Sequence, residues 1–328
     1  MTTAAVIGCG DVSAVHLQAI QDLDGIDLVA VCDTDPGRVA AASERYGVPG
    51  YAGHAALLAS TQPDVVHICT PHNQHVPIAL DCIDAGVAVL LEKPVAHTVA
   101  EAERLVTAAE AHPGVKTGIC LQNRYNATAQ AARNLLASGN LGRIVGSSAT
   151  LLWHRDKEYY DRRPWRGRLR DSGGGVLINQ AIHTLDLLEW LLGEVTLVHG
   201  HTDRISLQGV IDVEDTAYAL LDHAGGARSV FFATVANVID APVTIEIVTE
   251  KATLHLRGDL TVTYPDGRTE TVAEPRPGGA GRAYWGASHE LLIADFHRSL
   301  ADPEPFWISP REATSSLRLI HEIYRRNS

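Results

Sequence analysis

An apolar stretch, Thr3-Ala-Ala-Val-Ile-Gly8, runs directly into Gly8-Cys9-Gly10-Asp11-Val12-Ser13, and Ala14 to Ile20 then carry helical spacing. A chain that opens this way is expected to form a strand, a tight turn and a helix packed back on the strand. Gly8 allows the bend, Gly10 lets a backbone approach a pyrophosphate, and Ser13 stands where a third glycine would permit close helix packing. Asp11 and Val12 complete the turn, and the N–H groups at the helix start suit a phosphate. Because the third glycine is missing, the motif alone has the outline of any strand-to-helix turn. A second run, Asp27 to Asp33, ends in a carboxylate about 20 residues after the glycines, placed to hold a ribose 2′-OH, and Arg38 follows it. Asp33 also suits a turn or helix N-cap before Pro36, and the two roles can coexist. Strand, glycine turn, helix, strand and acid together predict a dinucleotide site. Asp33 at the ribose favours NAD over NADP, since a carboxylate repels a 2′-phosphate and Arg38 offsets only part of that.

The alternation continues. Val65 to Cys69 and Val87 to Leu91 are apolar runs, the second unbroken, as expected of parallel strands buried on both faces, with helical spacing between them from Val76 to Ala85. Polar groups gather at the ends of these strands, where open α/β sheets bind ligands: Thr70-Pro71-His72-Asn73-Gln74-His75 after the first, Glu92-Lys93-Pro94 after the second. His72 and His75 lie on a loop with no nearby acid or cysteine ligand, so a cofactor-lining role, or capping by Asn73, is preferred to metal binding. A helix over 98–111 and a strand over 115–121 finish this part. The expected division is a nucleotide-binding domain over 1–121 and a substrate and oligomerisation domain over 122–328.

From Ile144 onward the pattern becomes strands separated by turn signals such as Arg257-Gly-Asp259 and Pro265-Asp-Gly267, which predicts a large, mostly antiparallel sheet in an α+β domain. The fold class is therefore α/β, a parallel N-terminal sheet followed by that second domain. One face of the second sheet is expected to remain uncovered, lined by Val243, Ile245 and Ile247, and to pair copies into a homodimer or homotetramer. Pro275 to Gly281 reads as a loop, and helices near 288–300 and 311–325 close the chain.

A net charge of −12 argues against a nucleic-acid partner or an acidic membrane surface. The absence of a long apolar run or a basic leader points to the cytoplasm. The five cysteines are scattered, with no C-x-x-C pair, and read as reduced structural thiols with no zinc pattern, so no metal is expected.

Gly173-Gly-Gly-Val-Leu-Ile-Asn-Gln-Ala-Ile-His183-Thr-Leu-Asp186 reads as a helix opened by glycines. Asn179, His183 and Asp186 fall on one face by their spacing, so the amide and the acid can fix the orientation of an acid/base histidine. A satisfied core histidine would fit the same apolar helix.

These residues, with Gln122-Asn-Arg124 and Trp165-Arg166-Gly167, resemble the glucose–fructose oxidoreductase / inositol dehydrogenase / rhizopine catabolism (Gfo/Idh/MocA) family over essentially the whole chain. The resemblance implies an oxidoreductase that transfers a hydride between nicotinamide and a hydroxyl or keto carbon of a sugar, sugar nucleotide or cyclic polyol. It implies cofactor contacts from Gly8, Gly10, Asp11, Val12, Asp33, Arg38, Thr70, Pro71, Asn73, His75, Glu92, Lys93, Gln122, Trp165 and Arg166. Substrate contacts would come from Lys93, Arg124, Asn179 and His183. Lys93 would bond the nicotinamide side and the substrate hydroxyl, and His183 would exchange the proton. Many polyol dehydrogenases of the family carry aspartate where this chain has Asn179, and an amide cannot take a proton. The Asn-Gln-Ala-Ile-His form is more similar to the branch of sugar-nucleotide 3-dehydrogenases and related hexose dehydrogenases. Two other readings stay open: a glycosidase that uses bound NAD with no net redox change, and a non-catalytic dinucleotide or sugar sensor on the same fold.

Overall fold

The computed structural model describes residues 1–275 and 288–326. The chain divides into two compact units, Met1–Gln122 with Ser288–Thr314, and Asn123–Ala287 with Ser315–Ser328. No helix among the described residues is long and apolar enough to cross a membrane.

In the first unit, β1 (Thr2–Ile7), α1 (Ser13–Asp22), β2 (Ile26–Cys32), α2 (Pro36–Tyr46), β3 (Gly50–Tyr51), α3 (His54–Thr61), β4 (Val65–Ile68), α4 (His72–Asp84), β5 (Ala88–Glu92), α5 (Val99–Ala111) and β6 (Thr117–Cys120) alternate along the chain. All strand pairs are parallel and the order is β3-β2-β1-β4-β5-β6, the doubly wound arrangement whose order reverses between β1 and β4. Every residue of β4, β5 and β6 is buried, as strands covered on both faces require, His67 in β4 and Glu92 at the end of β5 included. The strand expected over 115–121 is shorter, because Val115 and Lys116 lie before the pairing begins.

The segment that the sequence reading placed in 122–328 returns in part to the first unit. There α10 (Ser288–Arg298) packs on α1 and β6, and Phe296 and Phe306 lie against Gly118, where a Cβ would stand 2.7 Å from either ring. A glycine in mid-strand is what admits these two rings.

In the second unit, α6 (Ala127–Ala137) precedes β7 (Ile144–Leu152), and short helical turns α7 (Lys157–Asp161) and α8 (Leu169–Ser172) lead to α9 (Ile182–Leu192). Then come β8 (Val195–Asp203), β9 (Thr216–His223), β10 (Arg228–Thr234), β11 (Thr244–Thr249), β12 (Thr253–Arg257), β13 (Asp259–Thr263) and β14 (Thr269–Val272). The eight strands form one sheet in the order β14-β13-β12-β11-β7-β10-β9-β8, antiparallel except for β7 with β10. The closing helix α11 (Pro310–Arg325) ends in this unit. The loop expected over Pro275–Gly281 lies, from 276 on, outside the described residues.

Burial alternates along β9, β10 and β11, so one face is core and one is open. The expected residues are on the wrong face: Ile245 and Ile247 are buried and Val243 is half-buried. The open face instead carries Tyr218, Leu220, Val230 and Phe232, in register as Val230 opposite Leu220 and Phe232 opposite Tyr218. A period of two puts every second residue on one side, but only packing decides which side is inward.

Candidate functional site

The glycine turn is built as the sequence suggests. Gly8 has φ +94°, and a Cβ there would sit 2.6 Å from the Cys69 backbone at the end of β4, so no other residue fits. At Gly10 a Cβ would meet no protein atom within 4 Å, which leaves open space above the backbone. Ser13 Oγ donates to the Gly10 carbonyl at 2.7 Å and closes the turn into α1, whose start at Val12 has no side-chain cap. Asp33 follows β2. Its oxygens accept the Cys9 and Asp35 N–H groups at 2.8 Å each and a fork from Arg38 at 2.8 and 3.1 Å. Burial pushes this carboxyl up, but the Arg38 guanidinium and the two N–H donors outweigh burial and hold it below the usual range. Arg38 is thus committed to Asp33. Beyond β4 the Thr70 hydroxyl is buried without a hydrogen-bond partner among the described residues. Open space at Gly10, an uncapped helix start and this unmatched hydroxyl fit a dinucleotide.

Lys93 is half-buried and joined to Pro94 by a cis peptide. His75, expected to line the cofactor, is fully buried behind it instead, Nδ1 lying 2.7 Å from the Pro94 carbonyl and Nε2 3.0 Å from that of Thr70. Burial holds the ring neutral, so it donates once, and the shorter contact to Pro94 takes the proton. His75 therefore ties α4 to the turn after β5.

Glu92, also expected at the cofactor, is turned into the core. Its Oε1 lies 3.0 Å from His16 Nε2 and 3.2 Å from His289 Nε2, and Oε2 accepts the Lys93 N–H at 3.2 Å. Beyond His16 the contacts continue through Nδ1 to His67 Nδ1 at 2.9 Å, and from His67 Nε2 to His297 Nε2 at 3.0 Å. A carboxylate only accepts, so His16 carries its proton on Nε2. His67 then carries one on Nδ1 and His297 one on Nε2, which agrees with a His297 Nδ1 that has no partner among the described residues. Burial pushes the Glu92 carboxyl up, but the two histidine donors outweigh it and hold it well below its ordinary value. Burial, then His16 and His297, push His67 well below its own. His16, Glu92 and Cys120 also place ligand-type atoms within 4.8 Å of one another. Each ring donor of this chain of contacts already has its acceptor, and the chain ends on Glu92. Sequence reasoning missed this cluster, although His16 on the buried face of α1 and His67 in mid-strand occupy positions the pattern reserves for apolar residues.

In the second unit the glycine-led segment is more irregular than one α-helix. A π-helical turn over Leu177–Ala181 precedes α9. From Ser172 to Leu188 every residue is buried except Asn179 and His183, so these two share the one open strip of the segment. Asp186, read as the acid that orients His183, is gripped by Arg124, Nε to Oδ2 at 2.9 Å and Nη2 to Oδ1 at 2.8 Å, with both side chains almost wholly buried. Arg124, expected at the substrate, thus spends its guanidinium fork on a structural ion pair, and Trp190 lies 5.6 Å from its charge. Trp165 and Arg166 occupy a tight turn over Pro164–Gly167. The Arg166 guanidinium lies 4.7 Å from the Tyr159 ring, and Gln180 Nε2 donates to the Tyr159 hydroxyl at 3.3 Å. Gln122 is buried in the turn Gln122–Tyr125, where the chain leaves the first unit.

Comparison with known proteins agrees with this geometry. Residues 2–117 match the oxidoreductase family with an NAD-binding Rossmann fold, and residues 129–255 match the GFO/IDH/MocA C-terminal domain. The chain is 31% identical to a D-apiose dehydrogenase of Paraburkholderia graminis, over 88% of this chain and 77% of that one. It is 30% identical to a D-glucoside 3-dehydrogenase of Escherichia coli, over 68% and 67%. Among solved structures, the WlbA dehydrogenase of Bordetella pertussis in complex with NADH and UDP-GlcNAcA superposes with a TM-score of 0.85 at 32% identity, covering 99% of this chain and 96% of that one. The chain belongs to the GFO/IDH/MocA family of oxidoreductases.

Proposed function

We propose that this chain is an NAD-dependent dehydrogenase of a sugar, sugar nucleotide or cyclic polyol, with His183 as acid/base. The observation that carries the reading is the segment from Ser172 to Leu188, buried throughout except at Asn179 and His183. When bound at the Gly8–Ser13 turn, NAD supplies the hydride acceptor, or NADH the donor. His183 takes the hydroxyl proton as the carbinol carbon loses its hydride to the nicotinamide, and returns it in reduction. Asn179 orients the hydroxyl through its amide. Lys93 hydrogen-bonds the same oxygen and its positive charge favours the developing alkoxide. Asp33 at the ribose favours NAD over NADP, since Arg38 is already held by its carboxylate. The apolar face of Tyr218, Leu220, Val230 and Phe232 suits a second copy of the chain, giving a dimer or tetramer.

Aldoses, glucosides, sugar nucleotides and cyclitols assayed by absorbance of the reduced cofactor test the reading. A substrate should emerge, and His183→Ala should lower its turnover by about 10²- to 10⁴-fold with NAD affinity unchanged. Near wild-type turnover in that variant removes His183 from the mechanism.

A further inference from the structure

Three glycines open the segment that carries Asn179 and His183, and each has its own reason. Gly173 has φ +80° and ends α8. A Cβ on Gly174 would stand 2.0 Å from the Tyr324 hydroxyl, and one on Gly175 would stand 1.9 Å from the Glu214 carbonyl oxygen. The backbone is therefore pressed against two residues that are remote in sequence, one just before β9 and one in α11.

Glu214 receives the start of the helix almost alone. The Gly175 N–H donates to Oε2 at 2.8 Å, the Leu177 N–H to Oε1 at 2.9 Å, and the Val176 N–H to the Glu214 main-chain carbonyl at 3.1 Å. Tyr324 Oη donates to Oε1 at 2.8 Å and fixes the carboxylate from behind. Three successive N–H groups that a helix start leaves unmatched thus end on one buried residue. The π-helical turn begins at Leu177, the last residue so held, and Asn179 lies inside it. A π-turn is a local departure from α-helical geometry, and here its first residue is the one fixed by the Glu214 carboxylate.

We propose that Glu214, backed by Tyr324, is a positioning residue for the reaction: it sets the π-turn that carries Asn179 and leads into α9 and His183, and so the place of the acid/base relative to the substrate hydroxyl. This rests on the assignment of His183 made above. The hydrogen bonds of Glu214 and Tyr324 run to the backbone of Gly175 to Leu177 and to each other, so their effect on the reaction runs through the residues that this backbone carries.

The test uses the full chain with Glu214→Gln and Tyr324→Phe, alone and combined with His183→Ala. Glutamine keeps one acceptor but sets an N–H group against a backbone donor. Phenylalanine removes only the hydroxyl, which guards against a variant that fails to fold. Glu214→Gln should lower kcat about tenfold to 10²-fold, the scale of a misplacement near 1 Å, with NAD affinity unchanged. Tyr324→Phe should lower kcat less. In the His183→Ala background both substitutions should cost clearly less, because of the two groups they place only Asn179 remains. Wild-type kcat in a folded Glu214→Gln or Tyr324→Phe, or an equal further loss without His183, overturns the proposal. Normal turnover by His183→Ala alone would instead overturn the assignment of His183, and this proposal with it.

Discussion

Glu92→Gln probes the buried histidine cluster, and its cost follows from three contacts. In the native chain Oε1 accepts from His16 and His289 and Oε2 from the Lys93 N–H. An amide that keeps its oxygen toward the histidines turns its own N–H against the Lys93 donor, and the flipped amide loses both histidines. Hydrogen bonds to a charged acceptor contribute about 1.5–3 kcal/mol against about 1 for neutral pairs, so weakening two and orphaning a third destabilises the first unit by about 2–4 kcal/mol. The pH dependence supplies a second check. The native carboxyl lies well below its ordinary value, so its stabilisation is complete above the unfolded value of about 4.3 and is lost as pH falls through that value toward the folded one. Glutamine does not titrate, so the gap between wild type and variant should narrow by about 1 kcal/mol at about pH 3.5. Urea unfolding followed by far-UV circular dichroism, from neutral pH downward, measures both. A gap under about 0.5 kcal/mol at neutral pH, or one that stays constant on acidification, would refute the reasoning.

Arg124→Leu should destabilise the second unit by about 3–5 kcal/mol by leaving Asp186 charged and buried, while Arg124→Leu with Asp186→Leu should cost clearly less; equal losses by thermal unfolding would mean the fork carries no such coupling. Asp33→Ser should release Arg38 and move the ratio of kcat/KM for NADP over NAD upward by about tenfold or more, as removal of a charge repulsion of a few kcal/mol near the ribose requires, and an unchanged ratio would separate Asp33 from cofactor choice. If the proposed pairing of copies holds, Val230→Glu with Phe232→Glu should give monomers by sedimentation without loss of far-UV signal, since the open face proposed to dock a second copy would carry charge; an oligomer unchanged by the substitutions would refute that interface.

Much of the architecture is local information. Apolar runs at β4 and β5 announce strands covered on both sides, and alternation in β9 and β10 announces a sheet with one open face. The Gly8 turn and the acid at the end of β2 are legible because backbone geometry leaves few residues that fit them. His183 is legible as a polar group at helical spacing in an apolar segment.

What the chain alone does not settle is direction and distant partnership. Glu92 and Lys93 are neighbours in the sequence, yet the first is claimed by histidines from α1 and α10, and no local rule states that α10 returns to the first unit. Arg124 has the same composition-level credentials as a substrate ligand and as an ion-pair partner. It became the latter because Asp186, 62 residues on, is buried beside it, and a buried carboxylate requires a charge. Glu214 meets Gly175 and Leu177 across 39 and 37 residues, so two of three glycines that read only as a permissive helix start, Gly174 and Gly175, are in fact the contact surface of a clamp. Spacing along the chain determines periodicity and turns, because those depend on bonds a few residues long. Which polar groups end up dry, and must then find one another, is decided only when the sheets and helices close over them.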